Sequence, residues 1–286
     1  MTVPGALSRV VLEPHVRAAL LEDLGAAGDV TSAGAIPAAA RAEVRIAART
    51  AGRIAGLDLA ALTFALLDPQ VSFVPAKQDG DDVGAGDTIA SLAGPARAIL
   101  TAERVALNFL GHLSGIATAT RACVEATAGT RARICCTRKT TPGLRALEKY
   151  AVRAGGGFNH RFGLYDGILI KDNHIAIAGG IAAAVSSARK SSGHPLKIEV
   201  EIDGLHQLDD ALGAGADVIM FDNMSLEDMS EGVKRVGARA LTEASGGVTL
   251  DRVAQIARTG VDLIAIGWIT HSAPTLDVGL DFDSLA

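Results

Sequence analysis

Aromatic side chains are scarce in this sequence: phenylalanine, tryptophan and tyrosine together make up 3% of 286 residues, with a single tryptophan. A core with so few rings must be filled by alanine and the branched aliphatics, within a hydrophobic content of 49%. Such side chains let helices pack close onto sheets, and the chain is long enough for one large core or two modest ones. Cysteine is nearly absent. Cys123, Cys135 and Cys136 are odd in number and form no CxxC pair. This excludes a disulfide framework and points to reduced residues in a cytoplasmic protein. No charge of either sign dominates, since 27 basic and 32 acidic side chains leave a net charge of -5. Neither nucleic acid nor an anionic membrane is therefore an expected partner. Long apolar runs are missing as well. The stretch 95–117 contains Glu103, Arg104, Asn108 and His112, and 175–188 is shorter than the ~20 apolar residues that span a bilayer. The opening MTVPGALSRVVLEPH has no basic segment followed by an apolar one, so no signal peptide is expected there.

What is present falls into two rhythms. In residues 1–113, Leu12, Val16, Leu20 and Leu24 recur every four positions and predict a helix over 11–24. RAEVRIAA at 41–48 alternates polar and apolar, the period of a half-buried strand. Leu57, Ala60, Ala61, Phe64 and Leu67 return to helical spacing, and 95–113 reads as a long helix opened by Pro95. From 114 to 270 short apolar runs recur instead: RICCT, DGILIK, KIEVE, DVIMFD, RALTEA and DLIAIG. Helical segments separate the later ones, which argues for βα units and a parallel sheet. A closed eight-unit barrel needs ~250 residues, well beyond what 114–270 offers. The fold expected is α/β: an N-terminal sandwich-like α/β domain over 1–113, and an open, incomplete barrel of six or seven parallel strands over 114–270. Residues 271–286 are expected to return to the first domain.

The residues that end each run carry the chemistry. RICCT leads into Thr137, Arg138 and Lys139; DGILI into Lys171; KIEV into Glu201; DVIMF into Asp222; RALTEA into Ser245, Gly246 and Gly247; DLIAI into Gly267. In barrel-like folds the reactive face lies at the C-terminal ends of the strands. Glu201 and Asp222 suit a hard divalent cation such as Mg2+ held with a substrate diphosphate. Arg138, Lys139 and Lys171 can neutralise a multiply anionic ligand, and an arginine fork binds a planar carboxylate at two oxygens. Ser245-Gly246-Gly247 precedes a helix and can turn backbone N–H groups to a phosphate. Gly155, Gly156 and Gly157 lead a loop into Asn159, His160 and Arg161, and binding groups concentrate on such loops. Arg104 has apolar neighbours on nearly every side of its helix, which predicts burial and an anionic partner. Two other readings of these residues stay open: Lys171 as the Schiff-base lysine of an aldolase-type barrel, and a binding protein without catalysis.

These segments resemble the quinolinate phosphoribosyltransferase family. The matching stretches are LLEDLGAAGDVTS, AERVALNFLGHLSGIAT, TRKTTPGLR, GGGFNHRFGLYDGILIKDNH, IEVEID, IMFDNMS, EASGG and IAIGWITHSA, in order along nearly the whole chain. TRKTTPGLR with NHR and IKDNH at this spacing is the specific part. The resemblance implies phosphoribosyl transfer from phosphoribosyl pyrophosphate to quinolinate with loss of CO2, with Mg2+ as the metal. It also implies a homodimer in which Arg104 reaches the neighbouring site. By the same resemblance Arg138, His160, Arg161 and Lys171 surround the quinolinate carboxylates, and Thr137 is an expected substrate-binding residue. Lys139, Glu201, Asp222, Ser245, Gly246, Gly247, Gly267 and His271 fall on the phosphoribosyl pyrophosphate side, and Lys139, Lys171, Glu201 and Asp222 are the expected catalytic groups. The remaining alternative within this likeness is a molybdate-transport-associated relative acting on another aromatic acid. Phe221 and Trp268 depart from the family pattern, and Trp268 beside Gly267 is expected to narrow the phosphate pocket.

Overall fold

A computed structural model of the chain describes residues 5–285; residues 1–4, which begin the N-terminal stretch discussed above, and residue 286 lie outside them. The first helix, α1 (Arg9–Leu24), buries Leu12, Val16 and Leu20, the spacing that predicted it. In α2 (Val30–Ala35) the Ser32 N–H donates to Asp29 Oδ1 at 2.9 Å, a side-chain cap for an otherwise unpaired donor. There follow β1 (Arg41–Ala48), β2 (Gly52–Arg53), α3 (Leu57–Leu67), β3 (Ser72–Pro75), β4 (Asp82–Val83) and β5 (Thr88–Pro95). The chain then enters α4 (Ala96–Ala126), directly after Pro95. Beyond it lie β6 (Arg133–Cys135), α5 (Arg145–Ala154), β7 (Ile168–Ile170), α6 (Asp172–Ala178), α7 (Ile181–Ser191), β8 (Ile198–Ile202), α8 (Leu208–Gly213), β9 (Val218–Asp222), α9 (Leu226–Val236), β10 (Leu241–Ser245), α10 (Leu250–Arg258), β11 (Leu263–Ala265), α11 (Trp268–His271) and β12 (Val278–Leu285).

Contacts divide the chain into two compact units, residues 1–121, 141–156 and 270–286 in one, and 122–140 and 157–269 in the other. The boundary expected at 113/114 thus falls inside α4, where nothing in 114–126 breaks the helix. Residues 141–156 join the first unit rather than the barrel, because α5 is tied into it. Tyr150 donates to Asp79 Oδ2 at 2.7 Å, and Glu148 pairs with His112 at 3.0 Å.

The first unit holds a four-stranded antiparallel sheet in the order β12-β1-β5-β3. Ile46, Ile89 and Leu92 of the sheet share one core with Phe64 of α3 and Ile99 and Leu110 of α4. The C-terminal segment returns here through β12. Its approach depends on Gly111 and Gly115, one turn apart on α4. The Leu276 N–H donates to the Gly111 carbonyl at 3.0 Å, and a Cβ at Gly115 would stand 2.1 Å from the Pro274 oxygen. Gly115→Ala should therefore destabilise the protein. Overpacking of about 1–3 kcal/mol exceeds the roughly 1 kcal/mol that alanine gains over glycine in a helix. Urea unfolding checks this; a variant as stable as the parent would show that the 274–276 segment yields freely.

The second unit is a six-stranded parallel sheet, β6-β11-β10-β9-β8-β7. Consecutive strands from β7 to β11 are neighbours, and β6 pairs the far side of β11, so β6 and β7 are the two free edges of an open barrel. The strands number six. A single parallel bridge, Cys135 to Phe158, adds a short piece of chain at the β6 edge. Among the described residues, no helix is long and apolar enough to cross a membrane.

Candidate active site

The predicted residues of the second unit lie where the sequence put them, at or just past the C-terminal ends of its strands. Thr137, Arg138 and Lys139 follow β6, Lys171 follows β7, Glu201 and Asp222 end β8 and β9, Ser245 closes β10, and Gly267 lies just past β11. Parallel register turns a scattered set of residues into one rim. Glu201 stands opposite Met220 and Ser245 opposite Asp222, so these side chains share the face opposite the helix-packed Phe221. The Lys139 N–H donates to Thr137 Oγ1 at 3.0 Å, fixing the turn after β6.

Arg138, past the end of β6, and Arg161 lie near enough to act on each other electrostatically. Burial, and after it the charge of Arg138, pull the Arg161 pKa below the ordinary arginine value. Arg161 spends one N–H on the Gly167 carbonyl at 3.0 Å. The Nε of Arg138 is buried with no hydrogen-bond partner. Like charges held together with a donor unsatisfied are unfavourable in the free protein. They become favourable once a carboxylate or phosphate bridges them.

Lys171 Nζ pairs with Glu201 Oε2 at 2.5 Å. An ammonium held by a carboxylate is a poor amine nucleophile, which counts against the Schiff-base reading. The Lys171 N–H donates to His174 Nδ1 at 2.9 Å, so His174 serves to cap α6. Asp222 accepts from Asn223 Nδ2 at 2.8 Å, and the Asn223 N–H donates to the Ser245 carbonyl at 2.9 Å. Asn223 adopts φ 53°, unusual for a side-chain-bearing residue. A Cβ at Gly246, where φ is 90°, would come within 2.3 Å of Asn223 Oδ1. Only glycine fits that turn, and Asn223 locks the turn to the carboxylate beside it. Glu201 and Asp222 offer hard oxygen donors on adjacent strands, a set that fits Mg2+ completed by water and phosphate oxygens.

Below the rim the structure brings His160 together with two residues the sequence reading passed over, Glu199 and Glu243. His160 Nε2 lies 2.9 Å from Glu199 Oε2 and 3.7 Å from Glu243 Oε1. Among the described residues this is the one cluster of three potential metal-ligating side chains. With Arg133, Phe158 and Arg161 these residues line a cavity of about 500 Å³ inside the barrel. The signal for them was parity. Glu199 is two residues before Glu201, and Glu243 two before Ser245, so each points to the same face one step deeper.

Burial, then the charge of Glu199, push the Glu243 carboxyl well above its ordinary range. The folded protein thus keeps a proton that the unfolded chain releases above the usual glutamate value. The group's contribution to stability falls as pH rises through that window, by up to about 1.4 kcal/mol per pH unit. Glu243→Gln should gain stability relative to the parent as pH goes from 5 to 8. Denaturant titrations at three pH values test this; parallel curves would mean that Glu243 is ionised in the fold.

Four further positions differ from expectation or lie apart. Arg104 is exposed rather than buried. Its buried neighbours Ala102, Val105, Ala106 and Leu107 take one side of α4, which leaves Arg104 on a polar stripe with Asn108. That stripe borders a groove of about 590 Å³. His271, near Ser272 Oγ at 2.6 Å, belongs to the first unit. Phe221 is fully buried against Gly232 of α9, so this departure from the family pattern is core packing. The Trp268 Nε1–H donates to the Val248 carbonyl at 3.0 Å, which anchors the indole behind the glycine turn.

An open α/β barrel whose mouth gathers cations, a carboxylate pair and a glycine turn defines an enzyme acting on a polyanionic substrate. The sequence model described as quinolinate phosphoribosyl transferase, N-terminal domain, matches residues 29–114, and the corresponding C-terminal domain matches 116–281. A probable nicotinate-nucleotide pyrophosphorylase [carboxylating] of Bacillus subtilis (strain 168) is 51% identical over 261 residues, 91% of this chain and 90% of that protein. A nicotinate-nucleotide pyrophosphorylase [carboxylating] of Mycobacterium leprae (strain TN) is 44% identical, covering 93% and 95% respectively. The crystal structure of NadC from Streptococcus pyogenes superposes with a TM-score of 0.94 at 40% identity, over 98% of this chain and all of that one. The chain belongs to the quinolinate phosphoribosyltransferase family.

Proposed function

We propose that this chain transfers the phosphoribosyl group of phosphoribosyl pyrophosphate to the ring nitrogen of quinolinate. It releases pyrophosphate and CO2 and yields nicotinate mononucleotide for NAD biosynthesis. The observation that carries the reading is the Arg138–Arg161 pair, with a buried Arg138 Nε lacking an acceptor. Two guanidiniums that act on each other electrostatically suit a ring that bears two adjacent carboxylates.

Arg138 and Arg161 would grip the carboxylates and turn the ring nitrogen toward C1 of the ribose, a proximity effect. The nitrogen lone pair forms the new bond to C1 as the C1–O bond to pyrophosphate breaks through an oxocarbenium-like state. Lys139 and the Ser245-Gly246-Gly247 turn would receive the charge that develops on the leaving group. Gly267 is assigned to the same side. Glu201 and Asp222 would hold Mg2+, whose positive charge supports the diphosphate. Binding there requires Lys171 to leave Glu201, and a quinolinate carboxylate offers it a new partner. Once the ring nitrogen is quaternary, the C2–carboxylate bond breaks; its electron pair stays at C2 beside the cationic nitrogen and then takes up a proton. Thr137 is a further substrate-binding group, and His160 serves the quinolinate side through its neighbour Arg161.

The exposed guanidinium of Arg104 supports a homodimer in which Arg104 serves the neighbouring site. Three free, buried cysteines support a reducing, cytoplasmic setting. The test is to incubate the protein with Mg2+, phosphoribosyl pyrophosphate and either quinolinate or nicotinate, following mononucleotide and pyrophosphate together. Turnover of quinolinate but not nicotinate is the expected result. Turnover of nicotinate alone would remove the role given to the second carboxylate.

A further inference from the structure

The geometry points to Glu199 as a positioning residue: it holds the His160 ring in the Nε2–H form and, through that ring, sets the backbone that presents Arg161 to the acid substrate. The inference deepens the function proposed above and rests on Arg161 being a carboxylate-binding group.

Both ring nitrogens of His160 are already engaged. The backbone N–H of Arg161 donates to His160 Nδ1 at 2.7 Å, so Nδ1 must offer a lone pair. The ring proton then belongs on Nε2, which lies 2.9 Å from Glu199 Oε2. In this form His160 directs neither nitrogen at a substrate; it links a strand carboxylate to the Arg161 peptide. Hydrogen-bond partners of this kind fix both the tautomer and the orientation of a histidine.

The link spans the open side of the barrel. On one side the segment is tied to β6: the Phe158 N–H donates to the Ile134 carbonyl at 2.8 Å, and the Cys136 N–H to the Phe158 carbonyl at 3.1 Å. On the other side His160 reaches Glu199 near the start of β8. Residues 158–161 therefore run from one free edge toward the strand beside the other edge, and Arg161 stands at the end of that span. Glu199 and Glu243 keep the lower end of the span in place from strands on either side of β9, and each has one buried carboxylate oxygen with no hydrogen-bond partner.

The same tautomer argues against reading the cluster as a metal centre. A cation on Nε2 would force the ring proton to Nδ1, where it would oppose the Arg161 N–H at a nitrogen–nitrogen separation of 2.7 Å. The three side chains meet the ligand count for a metal, but the ring lacks a free lone pair on the side that faces the carboxylates.

The test compares Glu199→Met, which removes the acceptor at similar length, with Glu199→Gln, which retains one. Nitrogen-15 spectra of the histidine rings in the wild-type protein should show His160 with its proton on Nε2, and Glu199→Met should lose that signature. The KM for quinolinate should rise about 10- to 100-fold in Glu199→Met, the range seen when a partner that orients a ligating residue is removed. The KM for phosphoribosyl pyrophosphate should stay unchanged, and Glu199→Gln should recover most of the loss. An Nδ1–H or doubly protonated ring in the wild type would overturn the proposal, as would equal losses for both substrates. Saturable Zn2+ binding that disappears in Glu243→Gln would overturn it too. If the wild type fails to turn over quinolinate, the functional reading falls, while the ring spectrum still decides the His160 arrangement. If Glu199→Met does not fold, the wild-type spectrum and the Glu199→Gln kinetics decide it.

Discussion

Arg138→Ala should lower kcat/KM for quinolinate by two to three orders of magnitude while leaving the fold intact. The Arg138 side chain is partly buried, its Nε has no acceptor, and its charge lies close enough to depress the Arg161 pKa. Removing one partner of a buried, hydrogen-bonded charge pair costs about 2–5 kcal/mol, which corresponds to roughly 30- to 4,000-fold at 1.4 kcal/mol per decade. The loss belongs to the bound state alone. In the free protein the substitution relieves repulsion between two guanidiniums, so thermal stability should hold or rise. Steady-state kinetics with both substrates, beside a melting curve, make the check. Near-normal turnover, or a melting point that collapses with activity, would give Arg138 a structural role instead.

Asp222→Asn is expected to be comparably damaging by a different route. Asn223 Nδ2 donates to Asp222 Oδ2, and an asparagine at 222 still presents one oxygen to that donor. The turn at Gly246, locked by Asn223, should therefore survive. What disappears is one of the two negative charges proposed to face Mg2+ and the diphosphate. Groups that stabilise charge developing on a leaving group are worth about 10²–10³ in kcat. The Mg2+ concentration for half-maximal rate should rise as well, since a hard cation is held mainly by anionic oxygen. Rate measured against Mg2+ concentration separates the two effects. An unchanged Mg2+ dependence would remove Asp222 from the metal site and leave Glu201, which Lys171 now occupies, to hold it alone.

Much of this site is legible in the sequence because of where strands end. An apolar run followed at once by Lys171, or by Thr137, Arg138 and Lys139, marks the C-terminal end of a buried parallel strand. Parallel pairing puts all such ends on one rim. Glu201, Asp222 and Ser245 need no three-dimensional information beyond that rule. The helices of the first unit were legible for a similar local reason: Leu12, Val16 and Leu20 are spaced at one helical turn, and a single α-helix enforces that spacing.

Other features depended on which face each element buries, which is settled by partners distant in sequence. Arg104 looked enclosed because its neighbours are apolar, yet α4 turns those neighbours to one side and leaves the arginine in solvent. Contacts divide the chain within α4 at 121/122, because α4 continues without interruption and α5 bonds to Asp79 and His112. Glu199 and Glu243 lie inside strands, where a carboxylate reads as an exposed position until the lumen side is known. The sequence by itself determined the order of elements, the open barrel and the residues at its mouth, since these follow from local periodicity and strand polarity. Only the tertiary structure decided that His160 spends both nitrogens on Arg161 and Glu199, and that Arg138 keeps a buried Nε without an acceptor. Those relations join residues from separate strands and loops, and a one-dimensional pattern carries no distance between them.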